Sequence, residues 1–212
     1  MKQAILYCLL ACLFVLQPTS ALCQEVFEAA QSPGVEAERE PGTVRLHISP
    51  DVKSPIVIPR IAAPLNTMRV TTHGIAEGLR LVPLQDKWQI HWDRTGEGHL
   101  GIEMHFDADP YLPSELHPIL ASGDGSFFLP AHRAQTKGEK IRYEPQTFKN
   151  TVGYWVGKKD NATWTIKIDK PGRFNVAVLQ GCGKGQGGST ATMSFISPVK
   201  DITPTIEFEV VE

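Results

Sequence analysis

The runs WQIHW at 88–92 and LGIEMHF at 100–106 decide the fold, because each alternates apolar and polar side chains. This alternation is typical of a β-strand with one face on a core and the other in water. Shorter runs of the same kind precede them, each followed by turn-forming residues: VRLHI at 44–48, MRV at 68–70 and GLRLV at 78–82. Many short strands separated by turns predict a small antiparallel β-domain over residues 43–112.

A second series of short strands follows. Residues 113–125 between the two series are rich in proline and glycine and predict a linker. The predicted strands of the second series are FFLPA (127–131), KIRYE (140–144), VGYWVG (152–157), TWTIKI (163–168), RFNVAVLQ (173–180), TATMSFI (190–196) and TIEFEVV (205–211). The whole pattern predicts an all-β chain with two small antiparallel β-sandwich (jelly-roll-like) domains, the second over residues 126–212.

The N-terminus has the features of a signal peptide. Lys2 precedes an apolar run over residues 4–16, Pro18 breaks that run, and small residues follow at cleavage spacing. We therefore expect residues 1–23 to be removed and the protein to be secreted or periplasmic, with Cys23 as a less favoured lipid anchor. The acidic stretch 24–42 has little to bury and predicts a disordered linker.

Charge and hydropathy argue against a nucleic-acid-binding protein and against a membrane-spanning one. The formal net charge of −2 and the pI near 6.4 argue against a nucleic-acid binder, which needs a basic face. No second apolar run approaches the roughly 20 residues of a membrane span. Signal cleavage removes Cys23 or leaves it at the new N-terminus, and Cys182 is then a lone cysteine, so no disulfide framework is expected.

Residues 139–189 carry several short signatures: IRYEP, KNTVGYW, a strand–KPG–strand hairpin and LQGCGKGQGGS. Together they resemble the accessory β-sandwich domain at the C-terminal end of secreted bacterial α-L-fucosidases and sulfatases. More weakly, residues 43–112 resemble the small β-domain that follows the fucosidase barrel. The resemblance implies an exported accessory module that binds carbohydrate or is associated with a glycan-degrading hydrolase. We expect this module to be non-catalytic, because no catalytic domain accompanies these signatures.

Domains of the resembling type continue with further strands after a segment like TIEFEVV at 205–211. Two interpretations of the second domain stay open. The chain is a fragment of a secreted α-L-fucosidase or sulfatase, or it completes its sheet by another route. The alternative function is a structural or interaction β-domain that packs on a partner chain, such as a separate hydrolase.

Ligand-binding candidates lie in the second series. Sugars stack an apolar C–H face on aromatic rings, and their hydroxyl groups need planar polar partners. If Trp155 and Trp164 pack inward, Tyr154 is the outward ring. The polar candidates near it or in the glycine-rich loop 181–189 are Asn150, Gln180, Lys184 and Gln186. This loop is not a phosphate-binding loop, because Lys184 is followed by glycine instead of serine or threonine.

Catalytic and metal-binding interpretations are weaker. Asp107 and Asp109 follow a strand and precede Pro110, where aspartate commonly forms a turn. His91, His99 and His105 are dispersed and lack the spacing of a structural zinc site. We therefore expect no catalytic residues, no metal and no cofactor.

Overall fold

The computed structural model describes residues 33–170, 172–197 and 204–212. Within these ranges the regular structure is fifteen strands and two 3₁₀ turns, Pro113–Glu115 and Ala131–Arg133, so the predicted all-β class is confirmed. The strands are β1 Val35–Glu40, β2 Thr43–Ile48, β3 Ile56–Pro59, β4 Leu65–Val70, β5 Ala76–Pro83, β6 Lys87–Arg94, β7 Leu100–Phe106, β8 Ile119–Leu120, β9 Gln135–Lys137, β10 Arg142–Glu144, β11 Thr151–Gly153, β12 Asn161–Thr163, β13 Ile166–Lys167, β14 Thr190–Ser194 and β15 Thr205–Glu209.

Two antiparallel sheets form the body of the first compact unit, which ends at Ile168. One has the strand order β1-β2-β7-β4 and the other β3-β6-β5. Alternate side chains of both sheets, such as Leu46, Ile102 and Ile90, meet in one apolar cluster. The rings of Trp88 and Phe106 stack across it with centroids 6.3 Å apart. Two sheets that share one core give the unit a sandwich-like architecture.

The later short strands complete this unit. Three pairs, β8–β13 (parallel), β9–β12 and β10–β11 (both antiparallel), follow the main sheets. Tyr143 in β10 is fully buried in the same apolar cluster as the main sheets. Arg60, also buried, donates Nη2 to the carbonyls of His132 and Ala134 at 3.1 and 2.9 Å. The first core therefore extends through residues predicted to form a second domain.

The predicted domain boundaries need two corrections. The chain divides between Ile168 and Asp169, not at 113–125, because Tyr143 and Arg60 join the second series to the first core. The predicted linker 113–125 also contains β8, which pairs with β13.

The prediction that residues 24–42 form a disordered linker is wrong for the later part of this stretch. Val35–Glu40 forms β1 in register with β2, and Val35 packs into the apolar cluster. Its glutamates face outward at an open sheet edge, where charge opposes edge-to-edge association. The predicted signal peptide 1–23 and the start of this stretch lie outside the described residues.

The second compact unit, Asp169–Glu212, contains the antiparallel pair β14–β15. The segment 173–180, predicted as a strand, has no assigned ladder, and the same is true of 127–131 in the first unit. Among the described residues of the second unit, none is fully buried. In the described part of the chain, no helix has the length and apolar character needed to cross a membrane.

Candidate ligand-binding site

Exposed aromatic side chains follow β11 in the first unit. Tyr154 is 46% exposed and Trp155 is 55% exposed, although large aromatic rings usually pack inside. The backbone carries strain on both sides of β11, with φ of +38° at Asn150 and +61° at Tyr154. Positive φ is rare for a bulky side chain and persists where the surrounding structure holds it, often at binding sites. We call residues 154–160 the aromatic loop.

Both rings of the aromatic loop are held in place. Arg142 lies opposite Gly153 in the β10–β11 ladder, and its guanidinium sits 3.3 Å from the centroid of the Tyr154 ring. The Trp155 indole donates Nε1–H to the carbonyl of Val152 at 2.8 Å. An aromatic side chain that is fixed before a ligand arrives loses less conformational entropy on binding.

Asp160 anchors the far end of the aromatic loop. Its Oδ2 accepts hydrogen bonds from the backbone N–H groups of Val156 and Gly157, and its Oδ1 accepts one from Glu139. These backbone donors lower the pKa of the Asp160 carboxyl. Gly138 makes the close approach possible, because a Cβ there would lie 2.0 Å from Oδ1 of Asp160.

The predicted site residues are divided between the two compact units. Tyr154 and Asn150 belong to the first unit, whereas Gln180, Lys184 and Gln186 belong to the second. Asn150 has a structural contact, because its Oδ1 accepts the hydroxyl hydrogen bond of buried Tyr143 at 3.1 Å. Tyr154 was chosen on the condition that Trp155 packs inward, and this condition does not hold, since Trp155 is the more exposed ring of the loop.

Trp164 is half-buried, and its Nε1–H donates to the carbonyl of Pro130 at 2.9 Å. Ile168, which alternation places on the same face, is 46% exposed. The strand predicted over 163–168 is interrupted, because β12 ends at Thr163 and β13 begins at Ile166. The bulky indole therefore packs at a break between two short strands.

In the second unit, the polar candidates lie beside β15. Gln180 donates Nε2–H to the carbonyl of Glu209 at 3.1 Å. Lys184 and Gln186 lie in or beside a turn closed by a 2.9 Å bond from the Gln186 amide to the Gly183 carbonyl. An open apolar groove of about 240 Å³ lies in the same unit. Its lining side chains are those of Val176, Val178, Gln180, Met193, Ile206 and Phe208.

The two aspartates after β7 take part in structural hydrogen bonds, Asp107 through its side chain and Asp109 through its backbone. Asp107 accepts a hydrogen bond from Asn66 Nδ2 at 2.8 Å, and the carbonyl of Asp109 accepts one from the amide of Tyr111 at 2.9 Å. Glu103 in β7 is held by hydrogen bonds from Arg69, Arg45 and His105, and these bonds, that of Arg69 above all, lower its pKa to about 2. In the described ranges, no group of three or more potential metal ligands comes together.

Sequence reasoning missed Arg142. The alternation of IRYE places Ile141 and Tyr143 inward and Arg142 on the outer face, where it is half-buried, and this alternation was a usable signal for an outward-facing cation. Its contact with Tyr154 depends on the β10–β11 register and on the positive φ of Tyr154, which local pattern does not contain. Comparisons of the chain with protein-family models, with curated proteins and with solved structures found no match.

Proposed function

We propose that this chain is an exported, non-catalytic accessory module that binds carbohydrate through its aromatic loop. The observation that carries the proposal is the exposed pair Tyr154 and Trp155, held in fixed positions outside the core. The resemblance of residues 139–189 to accessory domains of secreted fucosidases and sulfatases supports the same function and suggests a glycan-degrading hydrolase as its partner.

The two rings have different parts in this proposal. Arg142 covers one face of the Tyr154 ring, so that ring has a single face to offer. Trp155 is more exposed, and its hydrogen bond to Val152 fixes the indole plane. The C–H face of a pyranose ring stacks on Trp155, and Tyr154 borders the bound sugar. The sequence favoured Tyr154 as the platform, whereas the geometry supports Trp155 as the main one.

Affinity electrophoresis through gels that contain a panel of soluble polysaccharides tests this proposal. At least one polysaccharide should retard the protein, and Trp155→Ala should weaken the retardation about tenfold, since stacking on an aromatic ring is worth on the order of 1–3 kcal/mol.

The matched control is Tyr111→Ala. Tyr111 is an aromatic side chain of similar exposure, 45%, and like Tyr154 it lies near an arginine, with Arg39 5.7 Å from its ring centroid. Two outcomes would contradict the proposal. In the first, the protein migrates equally fast in gels with and without each polysaccharide. In the second, Trp155→Ala and Tyr111→Ala weaken the retardation equally.

A non-catalytic role is part of the proposal. The hydrogen bonds of Asp107 to Asn66 and of the Asp109 carbonyl to Tyr111 support turn-forming roles for this pair. We expect aryl-fucoside and aryl-sulfate substrates to be hydrolysed only at the background rate. Turnover that Asp107→Asn or Asp109→Asn abolishes would overturn this part.

The alternative is an interaction module on a partner chain, and the apolar groove of the second unit is the observation that favours it. Its lining includes Val176, Val178 and Ile206, each of which is exposed. The two functions differ in one measurement, because an interaction module has no reason to lose polysaccharide affinity when Trp155 is replaced.

A further inference from the structure

Arg142, which lies against Tyr154 of the aromatic loop, is a cation that lacks a carboxylate partner among the described residues. Arg142 stacks on Tyr154, and its Nε is buried without a hydrogen-bond partner. Its Nη1, at the exposed end of the guanidinium, makes one long contact of 3.5 Å with the carbonyl of Lys140. Arg39, which lies over Tyr111 in a similar way, forms a 2.8 Å ion pair with Glu115. The two arginine–tyrosine pairs therefore differ in that the charge of Arg39 is neutralised inside the protein.

The segment around Arg142 has an excess of positive charge in a chain whose net charge is −2. Residues 137–160 contain six lysine and arginine residues and three carboxylates. Two of these carboxylates are engaged within the protein. Glu144 pairs with Lys149 at 2.9 Å, and Asp160 accepts hydrogen bonds from backbone amides. The aromatic loop is thus set in a locally basic surface, which attracts an anionic ligand.

We propose that the ligand is an anionic saccharide, whose sulfate ester or uronate carboxylate binds Arg142 while a sugar ring stacks on Trp155. This inference rests on the carbohydrate-binding function proposed above and adds the charge class of the ligand. A guanidinium presents planar, paired N–H donors that match two oxygens of a sulfate or carboxylate. Stacking on Tyr154 orients that plane before the ligand arrives.

The test compares three polysaccharides: chondroitin sulfate, the same polymer after chemical desulfation, and neutral dextran. The wild-type protein should bind at least one acidic polymer about tenfold more tightly than dextran, as expected for a charge-assisted hydrogen bond. Arg142→Gln should remove this preference, and Arg142→Lys should keep part of it. Arg39→Gln is the matched control and should keep all of it. If desulfation abolishes binding, the sulfate ester is the group that binds Arg142. If binding survives desulfation, the uronate carboxylate is that group.

A salt titration of the wild-type protein keeps the proposal falsifiable if Arg142→Gln fails to fold. Affinity for the acidic polymer should fall as sodium chloride rises from 0.05 to 0.5 M, because the screening length shortens to a few ångströms. A salt-independent affinity would overturn the proposal.

Other outcomes separate this inference from the function on which it rests. If a neutral polysaccharide binds as tightly as the acidic ones and Trp155→Ala loses it, the inference fails and carbohydrate binding stands. If no polysaccharide of any charge binds, both fail. If single-stranded DNA or polyphosphate binds as tightly as the acidic saccharide and Arg142→Gln weakens all of them equally, the saccharide assignment is overturned.

Discussion

At the scale of single residues, Glu103 stands out because it is a buried carboxylate with three cationic or protonatable neighbours. On the outer face of the first sheet, the cross-strand row Glu38–Arg45–Glu103–Arg69 alternates in charge across four strands. Glu103 binds both arginines of this row, at 3.0 Å for Arg45 and 2.6 Å for Arg69. This row explains how a polar sheet face tolerates so many charges close together.

Glu103 should make the stability of the protein depend on pH. Hydrogen bonds from Arg69, Arg45 and His105 lower its folded pKa from 4.5 to about 2. A carboxylate with a lowered folded pKa stabilises the native state fully above its unfolded value. The contribution is therefore complete above about pH 4.5 and is lost as pH falls towards 2. In Glu103→Gln, stability at pH 7 should fall and the wild-type loss below pH 4.5 should become shallower.

Urea denaturation at several pH values measures this difference. Glu36→Gln is the control, because Glu36 is an exposed carboxylate on the same sheet face. The plot of stability against pH for Glu36→Gln should keep the wild-type slope at low pH. Parallel stability curves for the wild type and Glu103→Gln would show that Glu103 does not carry the effect.

At the scale of elements, Arg60 joins the turn after β3 to the segment before β9. It is 2% exposed, and burial lowers its pKa to about 10. Its Nη2 binds the carbonyls of His132 and Ala134, and the guanidinium lies 5.4 Å from the Tyr143 ring centroid. Arg60 thus holds β9 and β10 against the first core.

Replacement of Arg60 by methionine keeps most of the side-chain volume and removes both hydrogen bonds. The buried carbonyl of Ala134 and the partly buried carbonyl of His132 then lose a charged donor, which should cost about 2–4 kcal/mol of unfolding free energy. Arg80→Met, at an exposed position of β5, is the control and should change the free energy of unfolding by less than about 0.5 kcal/mol. Denaturant melts measure the free energy of unfolding of both variants. Equal stabilities of Arg60→Met and Arg80→Met would contradict the role given to Arg60.

The sequence predicted the strands with strong alternation well. The run 100–106 coincides with β7, and 88–92 lies inside β6. The edge strand β1 was missed because its outward glutamates made the stretch look solvated, although Val35 and Ala37 keep the inward alternation. The site was only half predictable. Exposed aromatic residues can be recognised in a sequence, whereas the contact between Arg142 and Tyr154 requires strand register and an unusual backbone angle.

At the scale of the whole molecule, the two compact units differ in how much they bury. The first unit has a core with fully buried side chains such as Trp88, Leu46 and Tyr143. The described residues of the second unit include none that is fully buried, and the side chains of its groove remain partly open to solvent. Burial of apolar area is the main favourable term in folding, so the free energy that protects a segment from opening should follow this difference.

Hydrogen exchange on the full chain should therefore separate the units. Amides of β2 and β7 lie in the middle of a four-stranded sheet over a buried core, and they should exchange only on global unfolding. Amides of β14 and β15 belong to a two-stranded ladder in a unit whose described residues include none that is fully buried. They should therefore exchange faster by at least about tenfold, a difference of about 1.4 kcal/mol in opening free energy. Equal protection in β14 and β7 would contradict this expectation. It would mean that β14 and β15 gain protection beyond their own ladder. A photoreactive residue introduced at Val178, which lines the groove and is 40% exposed, would then show by cross-linking whether a partner covers it.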